Sequence, residues 1–254
     1  MSYKLIALDM DGTLLRHGGI VSDENRKWIA EARRAGKHVI LATGRPVRSV
    51  LPYAEELGLD SPLIINNGSE VWRTPSLLHS RHCLDSGLVA RLFGAIRPYG
   101  GQLRYWAHTV SGKVDNESLS LAPSSQLQES IDALEWLQFA IRPDNPDHLP
   151  EIRREVESWN SLEISNSHPS NMEFNRLGIS KASGLREVCG LLGVDLSETI
   201  AAGDSLNDIP MIRAAGFGVA MGNAQEPVKL AADAVAPTNA EDGVADIIRR
   251  YLLS

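Results

Sequence analysis

Only two cysteines, Cys83 and Cys189, occur in 254 residues. So sparse and distant a pair builds no disulfide framework, and it suits reduced thiols in a cytoplasmic protein. Long apolar runs are missing too, and none approaches the ~18 residues of a membrane span. The first run, "LIAL" at 5–8, is cut off by Asp9, well short of the ~7–15 apolar residues of a signal-peptide core. Positive charge is in deficit: 25 Lys and Arg face 32 Asp and Glu, for a net charge of −7. Backbone binding to nucleic acid wants clustered positive charge, so that class of partner is excluded. Repeats and low-complexity segments are absent. What remains is a globular composition, 43% hydrophobic and 22% charged, in a chain long enough for one large domain or two ordinary ones.

The apolar runs alternate with helical periodicity at both ends of the chain. "LIAL" (5–8), "HVILATG" (38–44) and "PLIINNG" (62–68) read as buried strands, with "EVWR" (70–73) as a short extension. Between them a helix runs from a cap at Asp23 through Arg34 to a stop at Gly36, and a second opens at Pro46 and closes at Gly58. After about residue 80 the pattern becomes strand-rich, with a hairpin or adjacent strands at 102–114, a polar stretch at 115–126 and further strands near 135–141, 162–166 and 171–175. The first rhythm returns with a helix capped at Ser180, a strand at "ETIAAGD" (198–204) and a final helix over 240–253. The expected architecture is α/β. A doubly wound, mainly parallel Rossmann-like core spans 1–81 and 180–254, and an α+β cap domain is inserted at 82–179.

In open α/β sheets, ligands bind beyond the carboxyl ends of the strands. Four polar segments fall on that edge: "DMDGT" (9–13), "TGR" (43–45), "SK" (180–181) and "GDSLND" (203–208). Asp9 and Asp11 share a face of an extended chain. Like charges that close raise each other's pKa unless a cation intervenes, and a hard divalent ion such as Mg²⁺ suits oxygen ligands. Asp204 and Asp208 add two more carboxylates. A single Asp at a strand end serves equally well as a turn or cap; two acidic clusters on one edge point to a site. Thr43 offers a hydroxyl, and Gly44 lets backbone amides approach an anion. Arg45 is a weaker candidate, since a helix-start arginine is commonly solvated. Lys181 at a helix start opposes the dipole and so wants a negative partner. Together these groups suit phosphoryl transfer, with a carboxylate nucleophile, a proton-transferring carboxylate and cationic charge balance.

In order, "DMDGT", "ATGR", "GISK" and "GDSLND" match the four motifs of the haloacid dehalogenase-like phosphatases, and "AAGFGVAMGNAQEPVKLAADAV" (214–235) extends the match. The chain resembles the Cof-type branch, whose type IIB cap lies between the second and third motifs. The resemblance implies that Asp9 is the nucleophile and Asp11 the general acid/base. It implies Mg²⁺ held by Asp9, the Asp11 carbonyl and Asp204, with Asp208 orienting the metal site. It implies that Thr43, Gly44 and Lys181 hold the phosphoryl group and that Asn207 contacts phosphate or substrate. The expected activity is hydrolysis of a small phosphorylated metabolite, such as a sugar phosphate. A hexose phosphomutase and a phospho-aspartate signalling switch are the alternatives. In the cap, Arg104, Trp106, His108, Arg142, Asn171 and Glu173 are candidate substrate readers, whereas Trp136 and Trp159 are assigned to packing.

Overall fold

The four residues Leu5–Leu8 are completely buried because both faces of their strand are covered. Ile6 and Leu8 join one apolar cluster with Ile29, Val50 and Ile247, while Leu5 and Ala7 join another with Leu185, Val188 and Met211. This alternation is the signature of a doubly wound sheet with helices on each side. The neighbours repeat it: Val39 and Leu41 face the first cluster, Ile40 and Ala42 the second.

The structure is a computed structural model that describes residues 2–119 and 125–254. Of the polar stretch 115–126, residues 120–124 lie outside the described residues. The chain forms two compact units, 1–80 with 180–254, and 81–179.

Among the described residues, the main sheet of the first unit has eight strands in the order Ala234–Val235, Phe217–Ala220, Thr199–Gly203, Leu5–Leu8, His38–Ala42, Leu63–Ile65, Glu70–Thr74 and Leu77–Arg81. The first six run parallel, and Glu70–Thr74 turns back antiparallel on Leu63–Ile65. Parallel register brings the carboxyl ends of the central strands to one edge. Sheet hydrogen bonding reaches into the next residues there: Asp9 N donates to Ala202 O at 3.0 Å, and Thr43 N to Ile64 O at 2.9 Å. The sheet therefore fixes the backbone of the polar segments.

Local starts and stops depart from expectation in small ways. Ser22, not Asp23, caps the first helix, its side chain accepting from Asn25 N, and Asp23 lies within the first turn. Pro46 precedes the helix Val47–Glu56 instead of opening it. The run "PLIINNG" is strand only over Leu63–Ile65; Asn66, Asn67 and Gly68 then take positive φ values of 50°, 55° and 98°. The C-terminal helix starts at Gly243 and widens into a π turn over Ile248–Leu252.

The second unit is an antiparallel sheet in the order Leu162–Ser165, Met172–Arg176, Trp136–Pro143, Leu103–Thr109 and Gly112–Asp115. Its core gathers Phe93 and Ile96 from the helix Ser86–Ile96, Ile152 and Val156 from Leu149–Glu157, and Tyr105, Trp136, Phe139 and Phe174 from the strands. Trp136 is buried, and its indole N–H donates to Ile131 O at 2.9 Å. Trp159 packs at the margin of this core beneath the Arg91 guanidinium. Both tryptophans therefore serve packing. Among the described residues, no helix is long and apolar enough to cross a membrane.

Candidate active site

Lys181 is fully buried, as only a paired cation can be. Its Nζ donates to Asp9 Oδ1 and to Asp208 Oδ1, each at 2.6 Å. This resolves the dipole problem at the start of helix Lys181–Leu192, because two carboxylates arrive from other strand ends. Asp208 is committed on its other side as well: Oδ2 accepts from Asp204 N at 2.9 Å and Ser205 N at 3.0 Å. Asp208 thus ties the loop carrying Asp204 to Lys181. Asp204 in turn accepts from Thr13 Oγ1 and Ser205 Oγ, both at 3.1 Å. Gly12 has φ +81°, and a Cβ there would lie 2.4 Å from Asp204 Oδ2. The turn after the first strand is therefore glycine-bound for two reasons, backbone conformation and the close approach of a carboxylate.

Carboxylate oxygens of Asp9, Asp204 and Asp208 all lie within 4.8 Å of one another. Three carboxylates against one ammonium leave a formal charge of −2 in a site shielded from water. Burial pushes the Asp9 carboxyl well above its ordinary range; the Lys181 ammonium opposes this, while Asp208 and Asp204 add to it. Asp204 is pushed up to about 6, mainly by burial and then by Asp208. Burial alone would lower Lys181, but Asp208 and Asp9 outweigh it and raise the ammonium above its usual value. Without a further cation, the Asp9 and Asp204 carboxyls take up protons more readily than ordinary ones. A divalent cation satisfies the donor set, the charge and the geometry, so the residues fit a hard metal ion.

The remaining core residues lie on the same edge. Thr43 is buried, with its Oγ1 accepting from Arg45 N at 3.1 Å and its carbonyl accepting from Asn67 N at 2.9 Å. Gly44 approaches Asn67 so closely that a Cβ would sit 3.1 Å from Asn67 Oδ1. Asn207 Nδ2 donates to the same oxygen at 3.1 Å. Asp11 is more exposed than Asp9, and its two oxygens accept from Arg45 Nη2 at 2.6 Å and Nε at 2.7 Å. That fork-like pair is the strong form of a carboxylate bond. It promotes Arg45 from a weak candidate to a direct partner of Asp11. Thr13, Ser205 and Asn67 were not singled out from the sequence. An "NNG" directly after a buried strand was the available signal, because Asn and Gly tolerate left-handed backbone.

The six second-unit candidates gather on one face of that unit's sheet or at its margin. Arg104 pairs across strands with Arg142, Trp106 with Ala140, His108 with Gln138, and Ala140 with Glu173. Glu173 is buried and accepts from Gln138 Nε2 at 3.3 Å and Asn171 Nδ2 at 3.2 Å. Burial pushes His108 down to about 4, so its imidazole is neutral at pH 7.

Known proteins share this arrangement. A family model described as haloacid dehalogenase-like hydrolase matches residues 6–248. A 5-amino-6-(5-phospho-D-ribitylamino)uracil phosphatase of Bacillus subtilis is 42% identical over 250 residues, covering 98% of this chain and 96% of its own length. A pyridoxal phosphate phosphatase of Escherichia coli is 29% identical, with both chains covered in full. A haloacid dehalogenase-like hydrolase from B. subtilis of known structure superposes with a TM-score of 0.85 at 28% identity, covering 97% of this chain and 99% of its own. The chain therefore belongs to the haloacid dehalogenase-like hydrolases, as a phosphoric monoester hydrolase of that family.

Proposed function

We propose that the protein is a Mg²⁺-dependent phosphatase that hydrolyses a small phosphorylated metabolite through a phosphoryl group carried on Asp9. The observation that carries this reading is the buried cluster of Asp9, Asp204, Asp208 and Lys181, with its uncompensated negative charge. Asp9, Asp204 and the backbone carbonyl of Asp11 would hold the metal. When bound, Mg²⁺ supplies charge neutralisation for the phosphoryl oxygens. Asp9 attacks phosphorus, held in line by the strand Leu5–Leu8 behind it. Asp11 protonates the leaving oxygen and then takes a proton from the attacking water. Lys181, together with the metal, would favour ionised Asp9 and balance charge on the phosphoryl group, while Thr43 and the Gly44 amide hold its oxygens. On the family resemblance, residues 82–179 form the cap that reads the leaving group. The 42% identity to the ribitylamino-uracil phosphatase makes phosphorylated ribityl pyrimidines the first substrates to test, with pyridoxal phosphate and hexose phosphates beside them.

Phosphate release from such a panel in Mg²⁺ tests the reading. Turnover that vanishes on chelation supports it; no turnover on any ester with any divalent metal overturns it. Mg²⁺ should also stabilise the fold. At roughly 100-fold excess over its Kd the gain is about 3 kcal/mol. The gain should be largest above pH 6 and shrink toward pH 5, because the proton competes for Asp204, whose carboxyl titrates near about 6. Thermal unfolding with and without Mg²⁺ at the two pH values checks this.

Arg45 gives a separate prediction. Its pair with Asp11 is partly exposed, so Arg45→Met should change stability by less than about 1 kcal/mol. Turnover should fall by about 10- to 100-fold, because Asp11 loses the group that orients it. Unfolding midpoints and kcat measured on the same preparation separate the two effects.

A further inference from the structure

Three consecutive left-handed residues, two of them non-glycine and buried, are unusual backbone for the interior of a protein. Asn66–Gly68 nevertheless sits at the same sheet edge as the catalytic segments and is bonded to them. Asn66 N donates to Arg45 O at 3.1 Å and Asn67 N to Thr43 O at 2.9 Å. Gly68 lies against the residue before Lys181: a Cβ there would be 2.3 Å from Ser180 O. The Asn67 side chain completes the set, contacting Gly44 and accepting from Asn207. One strained turn thus touches the second, third and fourth polar segments.

We infer that Asn67 is a positioning residue that sets the carboxamide of Asn207 for the phosphoryl group; the inference rests on the phosphatase reading above. Asn207 lies between Asp204 and Asp208 in the fourth segment. As it stands, Asn207 Nδ2 gives one of its two N–H groups to Asn67, and Asn207 Oδ1 is buried with no hydrogen-bond partner among the described residues. A buried acceptor left in this way is costly. A half-turn of both carboxamides keeps a hydrogen bond between them, now from Asn67 Nδ2 to Asn207 Oδ1. It satisfies the buried oxygen and frees both N–H groups of Asn207 Nδ2 to donate to an anion. Asn67 is suited to this task because asparagine combines tolerance of left-handed backbone with a group that both donates and accepts.

The test is a double-mutant cycle on Asn67→Gly and Asn207→Ala, assayed with p-nitrophenyl phosphate in Mg²⁺. Glycine retains the backbone conformation, so the melting temperature of N67G should stay within about 2 °C of the parent. Its kcat/KM should fall by about 10- to 100-fold. The double variant should match N207A within about twofold, because Asn67 acts through Asn207. Additive losses, or parental kcat/KM in N67G, would overturn the inference. Binding of inorganic phosphate in Mg²⁺, followed by calorimetry, should weaken equally in N67G and N207A; unchanged binding in N67G also overturns it. This arm does not need turnover, so a parent protein that binds phosphate but hydrolyses no ester counts against the phosphatase reading alone. Should N67G fail to fold, Asn67→Asp serves instead. An ionised carboxylate only accepts, so it locks Asn207 with its oxygen toward the anion. N67D must then lose at least as much kcat/KM as N207A, and parental activity overturns the inference.

Discussion

Asp9→Asn should lower kcat by about 10⁴-fold or more while leaving the fold intact. An amide in place of the Asp9 carboxylate cannot attack phosphorus, and the neighbouring carboxylates are committed to other partners. Asp208 has both oxygens occupied, by Lys181 on one side and by the Asp204 and Ser205 amides on the other. Asp204 is held by two hydroxyls. The stability effect has the opposite sign to an ordinary buried deletion. Asp9 is raised well above its ordinary range, chiefly by burial. A group raised in this way contributes stability below its unfolded pKa and loses it as pH rises through the folded value. Metal-free protein should therefore lose stability as pH rises from about 4, the ordinary carboxyl value, toward neutrality. D9N, with one carboxylate fewer around Lys181, should lose less over the same range. Added Mg²⁺ should reverse the order, stabilising the parent more than the variant. Unfolding midpoints across pH, with and without Mg²⁺, measure both signs. A D9N variant that retains parental turnover, or that is strongly destabilised without metal, contradicts the account.

Lys181→Met should be the most damaging single change to the metal-free protein. The ammonium is buried between two carboxylates at 2.6 Å. Removing one partner of such a cluster strands charge in a dry site, at a cost of about 3–5 kcal/mol. Lys181 holds its proton more tightly in the fold than in the unfolded chain. Its stabilising effect is therefore fully present at neutral pH and is lost only as pH rises above the ordinary lysine value. Turnover should also collapse, because charge on the phosphoryl group loses its counterpart. Mg²⁺ should restore part of the lost stability and little of the activity, since a second cation offsets the carboxylates but does not occupy the ammonium's place. Denaturant unfolding with and without Mg²⁺ decides. Equal stability of K181M and parent without metal would show that the cluster is not charged as described.

The alternation of four-residue apolar runs with amphipathic helices made the doubly wound sheet legible, because burial on both faces leaves a continuous run such as "LIAL". The same logic located the polar segments, since a strand's carboxyl end is where the run stops. What spacing could not convey is which charges meet. Lys181 looked unfavourable at a helix start, and its partners Asp9 and Asp208 lie 172 and 27 residues away in sequence. Arg45 reads in sequence as a solvated helix-start residue, and only the fold brings its guanidinium onto both oxygens of Asp11. Asn67 was hidden inside an apparent strand because the sign of φ leaves only a faint trace, the "NNG" triplet. On Leu103–Thr109, the alternation of the strand puts Arg104, Trp106 and His108 on one face. It could not show what they bind, because a half-buried sheet face carries the same pattern whether it meets ligand or water.

The central claim is that phosphate passes through Asp9, and the most direct measurement is the site of phosphorylation after acid quench. Asp11→Asn is the variant to use, with p-nitrophenyl phosphate as donor in Mg²⁺. This leaving group needs no acid to depart, while hydrolysis of the aspartyl-phosphate lacks the base that activates water. Peptide mass spectrometry should then find one phosphoryl group on Asp9, and none there in a D9N/D11N double variant. Phosphate released with no phosphoryl group on any residue, or a phosphoryl group found elsewhere, would contradict it.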